Sequence, residues 1–549
     1  MRPAKFIGNR SMKNRLIIDS QLAARCSEDI FSENWNWPIT QEQYDDPITE
    51  FIEWSDKLFE EIKDTPRLID AFFLIKSDLL KDLSYYTSAW IDIGNAKQKG
   101  VELLYRPNEY IFESLVTDQF QKVLPKNQLR SIRSSGLTGK ARSKLSRLKR
   151  SYSNKKSLIT AKSNFYAISL NNLGKQIAPC TTSILKFSSD DVRQMRNRKS
   201  SFPNRLNELA IQISETLVLI ISKHSTPPSK NFAKHAYFLA LSYLTYGWTD
   251  AAMNPIFSKI KPQSTLITAT GSGYSARLLS YQFLNDGHKV IRATHGGESP
   301  IFNDALLPTG EFPFASKYVA YGYSSAQSLQ ANINARIESD YPHYTHSVEA
   351  AGSDFHAQIY NRAVIKPEKK IELVTVVTGC FNGMYRVTPK MVLHDVVYME
   401  WQRRLLLMTK KFGFTVIAKR HPKGNMSQMK IFSTAADHEL LDTTMADVEQ
   451  NTDAYVFDFQ GSAFMEALCT LKPVVLIDIP IREMRAAARS QIMESVPMVP
   501  ASFDERNRVR INPGELHEAL KKPVDIDARK QLIHDFLLRP SVDFRQVFI

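Results

Sequence analysis

Cysteine is scarce: four residues (Cys26, Cys180, Cys380 and Cys469) in a chain of 549, with no CxxC pair. That excludes a disulfide framework and gives no zinc-site spacing, and it fits a reducing cytoplasm. Long apolar runs are lacking too. The best, Leu217–Ile221, falls far short of the ~20 residues that a spanning helix needs. The N-terminal stretch MRPAKFIGNRSMKNRLIIDSQ has charge but no apolar h-region, so no signal peptide is read there. The expected location is cytoplasmic, with any membrane contact peripheral, on the inner face.

Acid is absent from one long stretch. Between Gln119 and Ser189 there is no Asp or Glu but fifteen Lys and Arg, which exceeds the whole net charge of +14. Such a stretch faces an anionic glycan, anionic lipid headgroups or nucleic acid, or it is simply a solvated basic loop. Aromatics are sparse between Lys122 and Lys186 (Tyr152, Phe165, Tyr166), so the stacking platforms of a single-strand nucleic-acid binder are missing and nucleic acid ranks last. We read 119–200 as a basic insertion, mobile or weakly helical.

What is present divides the remainder. Residues 1–118 are helical: Phe51, Trp54, Leu58 and Ile62 make one apolar stripe, as core helices do. Residues 201–350 begin with helices (Leu206–Ile221, Ala233–Tyr246) and then change style. A strand at Ser264–Thr270, a Gly271-Ser272-Gly273 turn, a helix and a strand at His288–Thr294 form a β-α-β unit. Its Gly-x-Gly lacks the third glycine of a dinucleotide fingerprint. Around Pro367–Lys370 the chain reads as a linker. Residues 371–512 repeat the strand–helix alternation, with polar helices expected over Ser433–Asp447, and 513–549 is helical. The fold class is therefore α/β: two Rossmann-like parallel-sheet domains behind a helical, basic N-terminal extension. Two such domains in tandem put two carboxyl edges around one cleft, where ligands bind.

Three polar corners fall at strand ends. The first is Lys419-Arg420-His421-Pro422-Lys423, where proline fixes the backbone beside an imidazole and cations suited to a nucleotide phosphate, or where a surface turn simply carries charge. The second is Gly461-Ser462, opening the helix Ala463–Thr470, with Glu466 four residues on; its hydroxyl and amides can hold phosphate, although serine is also an ordinary N-cap. The third is His295-Gly296-Gly297-Glu298, where two glycines permit close approach and His295 or Glu298 could deprotonate a hydroxyl, with Asp304 and Glu311 in reserve.

At His421-Pro422 and at Ser462 with Glu466, the chain resembles the GT-B glycosyltransferases of bacterial surface polysaccharide (capsule and lipopolysaccharide) biosynthesis. The nearest branch uses cytidine-activated donors: bacterial sialyltransferases and Kdo transferases, with the CDP-glycerol glycerophosphotransferases beside them. The resemblance covers about residues 264–500 and includes the run Glu466-Ala467-Leu468 to Lys472-Pro473-Val474-Val475 with Asp478. The HGG at 295–297 is similar to a QHGG element of capsule transferases, with Thr294 in place of Gln. Two departures stand out. The acidic-acidic-Gly catalytic motif of the sialyltransferases has no clear counterpart, and their paired serines are the single Ser462.

The resemblance implies a glycosyltransferase that binds a CMP-linked sugar through Lys419, His421, Pro422, Gly461, Ser462 and Glu466. His295 or Glu298 would be the base, acting on an anionic glycan or lipid-linked acceptor. It implies no metal and no cofactor beyond the donor substrate. A CDP-glycerol-type polyol-phosphate transferase, a sugar-nucleotide epimerase, and a non-catalytic polyanion binder on the same scaffold are the rival readings.

Overall fold

Two large, mainly parallel sheets, a two-stranded sheet pairing Arg15–Ile17 with Glu102–Leu104, and a helical bundle make up the computed structural model. It describes residues 15–25, 31, 35–105, 110–120, 165–178, 185–187, 202–252, 260, 262–297, 299–303, 306–363, 370–381, 393–424 and 426–541. The bundle consists of α1 (Gln41–Ile62), α2 (Pro66–Gln98), α3 (Asn204–His224) and α4 (Lys230–Ala251). Helix α1 starts at a capping box: Thr40 accepts from the Gln43 amide, and the Gln43 side chain accepts from Thr40. Its expected stripe is core, with Phe51, Leu58 and Ile62 buried and Trp54 stacked on Phe51 at 5.4 Å. Helix α4 lies close against α2 because residue 247 is glycine; a Cβ there would stand 2.4 Å from the Ala71 carbonyl oxygen. The bundle therefore pairs helices from residues 41–98 with helices from residues 204–251. That departs from the expected boundary at 201: α3 and α4 complete the bundle, and the sheet domain takes its strands from elsewhere.

The first sheet contains β1 (Phe165–Ile168), β2 (Leu185–Phe187), β3 (Thr265–Thr268), β4 (Lys289–Ala293), β5 (Lys317–Ala320) and β6 (Val348–Ala350). All pairs are parallel, in the order β2-β1-β3-β4-β5-β6. Two of its strands thus come from the stretch expected to be a basic insertion. Tyr166, Ala167 and Ile168 are buried, so this short apolar run is core within a cationic sequence. The rest of that stretch (121–164, 179–184, 188–200) lies outside the described residues. Helix α5 (Tyr274–Asn285) follows β3, and α6 (Tyr323–Asn334) follows β5. Buried Arg277 of α5 donates to the Leu74 carbonyl at 3.1 Å and pairs with Asp78, which fixes the sheet to α2.

Helix α7 (Asp354–Arg362) leads to the second sheet, made of β7 (Leu373–Val377), β8 (Thr415–Lys419), β9 (His438–Leu440), β10 (Ala454–Phe457), β11 (Val474–Asp478), β12 (Met498–Phe503) and β13 (Val509–Ile511). Its order is β9-β8-β7-β10-β11-β12-β13, parallel except for the last pair. In chain order the first six read 3-2-1-4-5-6, the doubly wound arrangement of nucleotide-binding sheets. The connecting helices are α8 (Asp395–Lys411), α9 (Met445–Glu449), α10 (Ser462–Cys469) and α11 (Ala486–Ser495). The polar helices expected over Ser433–Asp447 are instead an irregular stretch, β9 and the single turn of α9. Too few apolar residues recur at helical spacing there to hold a longer helix against the sheet.

Helices α12 (Pro513–Lys521) and α13 (Ile526–Ile533) close the chain. The turn after α13 crosses back to the first sheet: Gly322 N–H and Ser325 O–H both donate to the Phe536 carbonyl, at 2.9 and 2.8 Å. The sheets also share a core, in which Ile267, Ile291 and Val319 of the first join Phe457 and Leu476 of the second and Phe464 of α10. The bundle reaches the second sheet through a buried group: Trp37 N–H donates to Tyr44 O–H, which donates to Asp92, with His394 Nε2 at 3.7 Å from that carboxylate. Among the described residues, no helix is long and apolar enough to cross a membrane.

Candidate functional site

In a parallel sheet, crevices open outside the carboxyl ends of the strands where the chain order reverses. In the second sheet that point lies between β7 and β10. Three loops surround it: Thr378–Phe381 after β7, Arg420–Gly424 after β8 and Asp458–Ser462 after β10. The first two pack tightly on one another. Cys380 Sγ donates to the Lys423 carbonyl at 3.2 Å, and a Cβ on Gly424 (φ +110°) would stand 2.5 Å from the Phe381 carbonyl oxygen.

His421 is half-buried at this edge. Its Nδ1 lies 3.1 Å from the Lys423 amide and 3.3 Å from that residue's carbonyl. The amide can only donate, so Nδ1 is the acceptor and the ring proton sits on Nε2, as a donor to an anion requires. Pro422 is exposed beside it. Gly461 is the N-cap of α10 and supplies no side-chain bond. Ser462 is exposed, and among the described residues the Ser462 and Ala463 amides have no acceptor, whereas the Phe464 amide turns back to the Gly461 carbonyl at 3.0 Å. The helix start is thus an open pair of donors at the positive end of a dipole.

Two residues expected to touch the donor lie elsewhere. The Lys419 side chain is buried and its ammonium donates to the Thr443 carbonyl at 3.0 Å. Burial lowers its pKa, and Glu466 and Asp447 oppose that shift. Glu466 shares Lys419's face of the sheet. Its carboxyl lines a cavity of about 70 Å³ between α7, α9 and β10, with Phe355, Met445, Glu449 and Tyr455 in the walls and Ser462 not among them. Burial raises the Glu466 carboxyl to about 7, the Lys419 ammonium opposes the rise, and Glu449 adds to it. Four residues along a helix put Ser462 and Glu466 on one side, but α7 covers the second and leaves the first open. Both Lys419 and Glu466 are reassigned from donor contact to the packing beneath the site.

The pH consequence has a definite sign. A carboxyl that holds its proton more tightly when folded destabilises the fold as pH rises from the unfolded value near 4.5 to the folded value near 7. Glu466→Gln is therefore expected to flatten the stability profile between these pH values and to leave the variant more stable than the parent at pH 8, by on the order of 1–2 kcal/mol after solvent screening. Urea midpoints for both proteins at pH 5.5 and pH 8 measure this.

The third corner is in the first sheet, yet it meets the second. A Cβ on Gly297 would stand 2.6 Å from Met465 Cγ, so the glycine loop after β4 lies directly on α10. Thr294 O–H donates to the Gly296 carbonyl at 2.9 Å, and the Asn171 amide donates to the Thr294 carbonyl at 2.7 Å; together they fix the turn. His295 is exposed and, among the described residues, makes no side-chain hydrogen bond. Glu298 and Asp304 lie outside the described residues. Glu311 is not a free base: buried, it accepts from Thr270 O–H and the Gly271 amide, both at 2.9 Å, and so braces the Gly-Ser-Gly loop after β3.

Beyond Gly297 the two domains are joined by backbone. Phe302 and Met484 form an antiparallel bridge, Asn303 N–H donates to the Glu483 carbonyl at 3.1 Å, and Arg485 N–H donates to the Ile301 carbonyl at 2.8 Å. Arg482 stacks over Phe302 at 3.6 Å and stands 5.6 Å from the Phe459 ring. Arg482 and Arg485 are the residues the sequence reading missed. Two arginines in the loop that follows an apolar strand of a parallel sheet were the available signal. Asp458 was missed too. It accepts from Tyr398 O–H at 2.6 Å and Trp401 N–H at 2.9 Å, so it ties the end of β10 to α8 instead of facing the crevice. Among the described residues, no group of three His, Cys, Asp or Glu side chains is placed to hold a metal ion.

Comparison with protein-family models, with curated proteins and with solved structures gives no match for this chain.

Proposed function

We propose that the chain is a GT-B-like glycosyltransferase, moving a sugar from a nucleotide donor, CMP-linked in the first instance, to a surface-glycan precursor. The observation that carries this reading is the meeting of two carboxyl edges. The open helix start at Gly461–Ser462 lies at the crevice of the doubly wound sheet, and the His295–Gly297 loop of the other sheet rests on the same helix. The donor phosphate would sit on the Ser462 and Ala463 amides and the Ser462 hydroxyl, with His421 Nε2–H donating from the neighbouring loop. As the bond from the anomeric carbon to the phosphate oxygen breaks, charge grows on that oxygen, and these fixed donors stabilise it. The acceptor oxygen forms the new bond to carbon and gives its proton to His295, and the nucleotide leaves as the monophosphate. Partial positive charge comes from the helix dipole, and the imidazole adds a neutral N–H donor. Glu298 keeps its place as the alternative base.

The test is a thermal-shift screen with CMP, CDP, UDP and GDP. CMP is expected to raise the melting temperature, His421→Ala to abolish the rise, and Ser462→Ala, which removes one hydroxyl and keeps the amides, to reduce it. No shift with any nucleotide sinks the donor site. Release of CMP from a CMP-sugar, as against transfer from a CDP-polyol, separates the glycosyl from the polyol-phosphate reaction.

A further inference from the structure

We propose that the cavity between Glu466 and Tyr455 is a binding site for a small primary ammonium ion. Four elements build its walls: α7, α9, β10 and the far end of α10. It is separate from the donor crevice, since neither Ser462 nor His421 lines it. Two polar groups face it without partners. Among the described residues the Glu466 carboxyl accepts no hydrogen bond and has no cation within ion-pair distance; the Lys419 ammonium is turned to the Thr443 carbonyl instead. Tyr455 is the second group. It is 0% exposed, and its hydroxyl has no hydrogen-bond partner among the described residues. The Thr452 hydroxyl is already engaged with the Val448 carbonyl and with Thr375, each at 2.7 Å. Burial raises the Tyr455 pKa, and the carboxylates of Glu449 and Glu466 add to the rise, so the hydroxyl is turned toward these two walls. Buried polar groups are rarely left unpaired, and two of them on one cavity point to an occupant.

The chemistry of the walls selects a cation that carries N–H donors. Once ionised, both Glu466 oxygens can only accept. The Thr470 O–H is spent on the Ala467 carbonyl at 2.7 Å, and Arg362 is held by Glu449 at 2.6 Å. The charges and titratable groups around Glu466 are Lys419 on β8, Glu449 on α9 with Arg362 on α7, Tyr455 on β10 and the Cys469 thiol on its own helix. An ammonium group brings three donors and the missing positive charge. Its carbons meet Phe355, Ile359 and Met445, and the Phe355 ring also attracts a cation. Size limits the ligand. A cavity of about 150 Å³ takes benzene. One of about 70 Å³ therefore takes an ammonium nitrogen with about two carbons. The Arg362 side chain, 53% exposed, marks the solvent side where such a ligand enters. The inference does not depend on the reaction proposed above, since it needs neither nucleotide nor turnover.

Melting curves of the full-length protein are recorded with ammonium, methylammonium and ethylammonium chloride, against sodium chloride of equal ionic strength. A ligand of three heavy atoms binds no tighter than about millimolar, so the series runs to about 100 mM. At pH 8 methylammonium or ethylammonium is expected to raise the melting temperature and to saturate, while tetramethylammonium and ethanol leave it unchanged. At pH 5.5 the Glu466 carboxyl, raised to about 7 by burial, holds its proton, and affinity should be at least about tenfold lower. Glu466→Gln keeps the shape of the side chain and should lose the response. Tyr455→Phe removes only the hydroxyl and should bind about three- to tenfold more weakly. Three results overturn the proposal: no shift with any amine, which leaves the cavity to water; a shift that Glu466→Gln keeps in full; or an affinity that is the same at pH 5.5 and pH 8.

Discussion

Ser462→Asp is expected to make the free protein slightly more stable and to abolish its binding of the nucleotide. Both effects come from one charge. Helix α10 is eight residues long and begins without a side-chain cap, with Ser462 exposed and two amides open. A carboxylate on its first residue meets the positive end of the dipole, which stabilises by about 0.3–1 kcal/mol. In a chain of this size that raises the melting temperature by only ~1–2 °C. The same carboxylate would stand where the donor phosphate is to bind. Two like charges about 4 Å apart at a surface site repel by up to about 4 kcal/mol, so affinity should fall at least ~100-fold. Ser462→Gly keeps the amides and removes only the hydroxyl, so it should cost about tenfold or less. Melting curves with and without CMP for the three proteins measure all of this. If Ser462→Asp is shifted by CMP as the parent is, the anion does not bind at this helix start.

The parallel strands were legible because burial on both faces leaves a signature. Strands were expected at Ser264–Thr270 and His288–Thr294, each within two residues of its observed ends, Thr265–Thr268 and Lys289–Ala293. The bundle was legible as helices but not as one body, since nothing in the sequence states that residues 204–251 pack on residues 41–98. Strands β1 and β2 were hidden by their cationic neighbours. Four residues such as Phe165–Ile168 become a strand only through the parallel partner at Thr265–Thr268, a hundred residues away. At the site, charge could be read but direction could not. Lys419 and Arg420 look like phosphate ligands in a KRHPK string, and both turn inward. Period-two alternation held a hint, because Arg420 shares the face of Ala418 and Val416, which are core. Glu466 was correctly spaced from Ser462, yet the helix that covers it comes from the segment between the two sheets.

Arg420 carries the other large expectation. Its guanidinium and the Glu439 carboxylate are buried, 2% and 1% exposed, at 2.7 Å. The arginine also donates to the carbonyls of Met429 and Met426, at 2.8 and 3.1 Å, with the rings of Phe381 and Phe432 at 5.5 and 5.4 Å. The carboxylate accepts in turn from the amides of Ile431 and Phe432, at 2.9 and 3.0 Å. Every one of these bonds holds the loop that starts at His421, so the pair anchors the site's imidazole from beneath without touching a ligand. Glu439→Ala leaves a buried cation and two amides uncompensated, and it is expected to cost about 3–5 kcal/mol. Arg420→Met combined with Glu439→Leu removes both charges and should recover part of that loss, although the two amides stay unpaired. Nucleotide affinity should not recover with it, because neither variant fixes the loop. Denaturant melts and CMP titrations of the single and double variants separate the two effects. If Glu439→Ala melts within about 1 kcal/mol of the parent, the pair is not the anchor. If the double variant binds CMP as the parent does, His421 is positioned by Pro422 and the Lys423 amide alone.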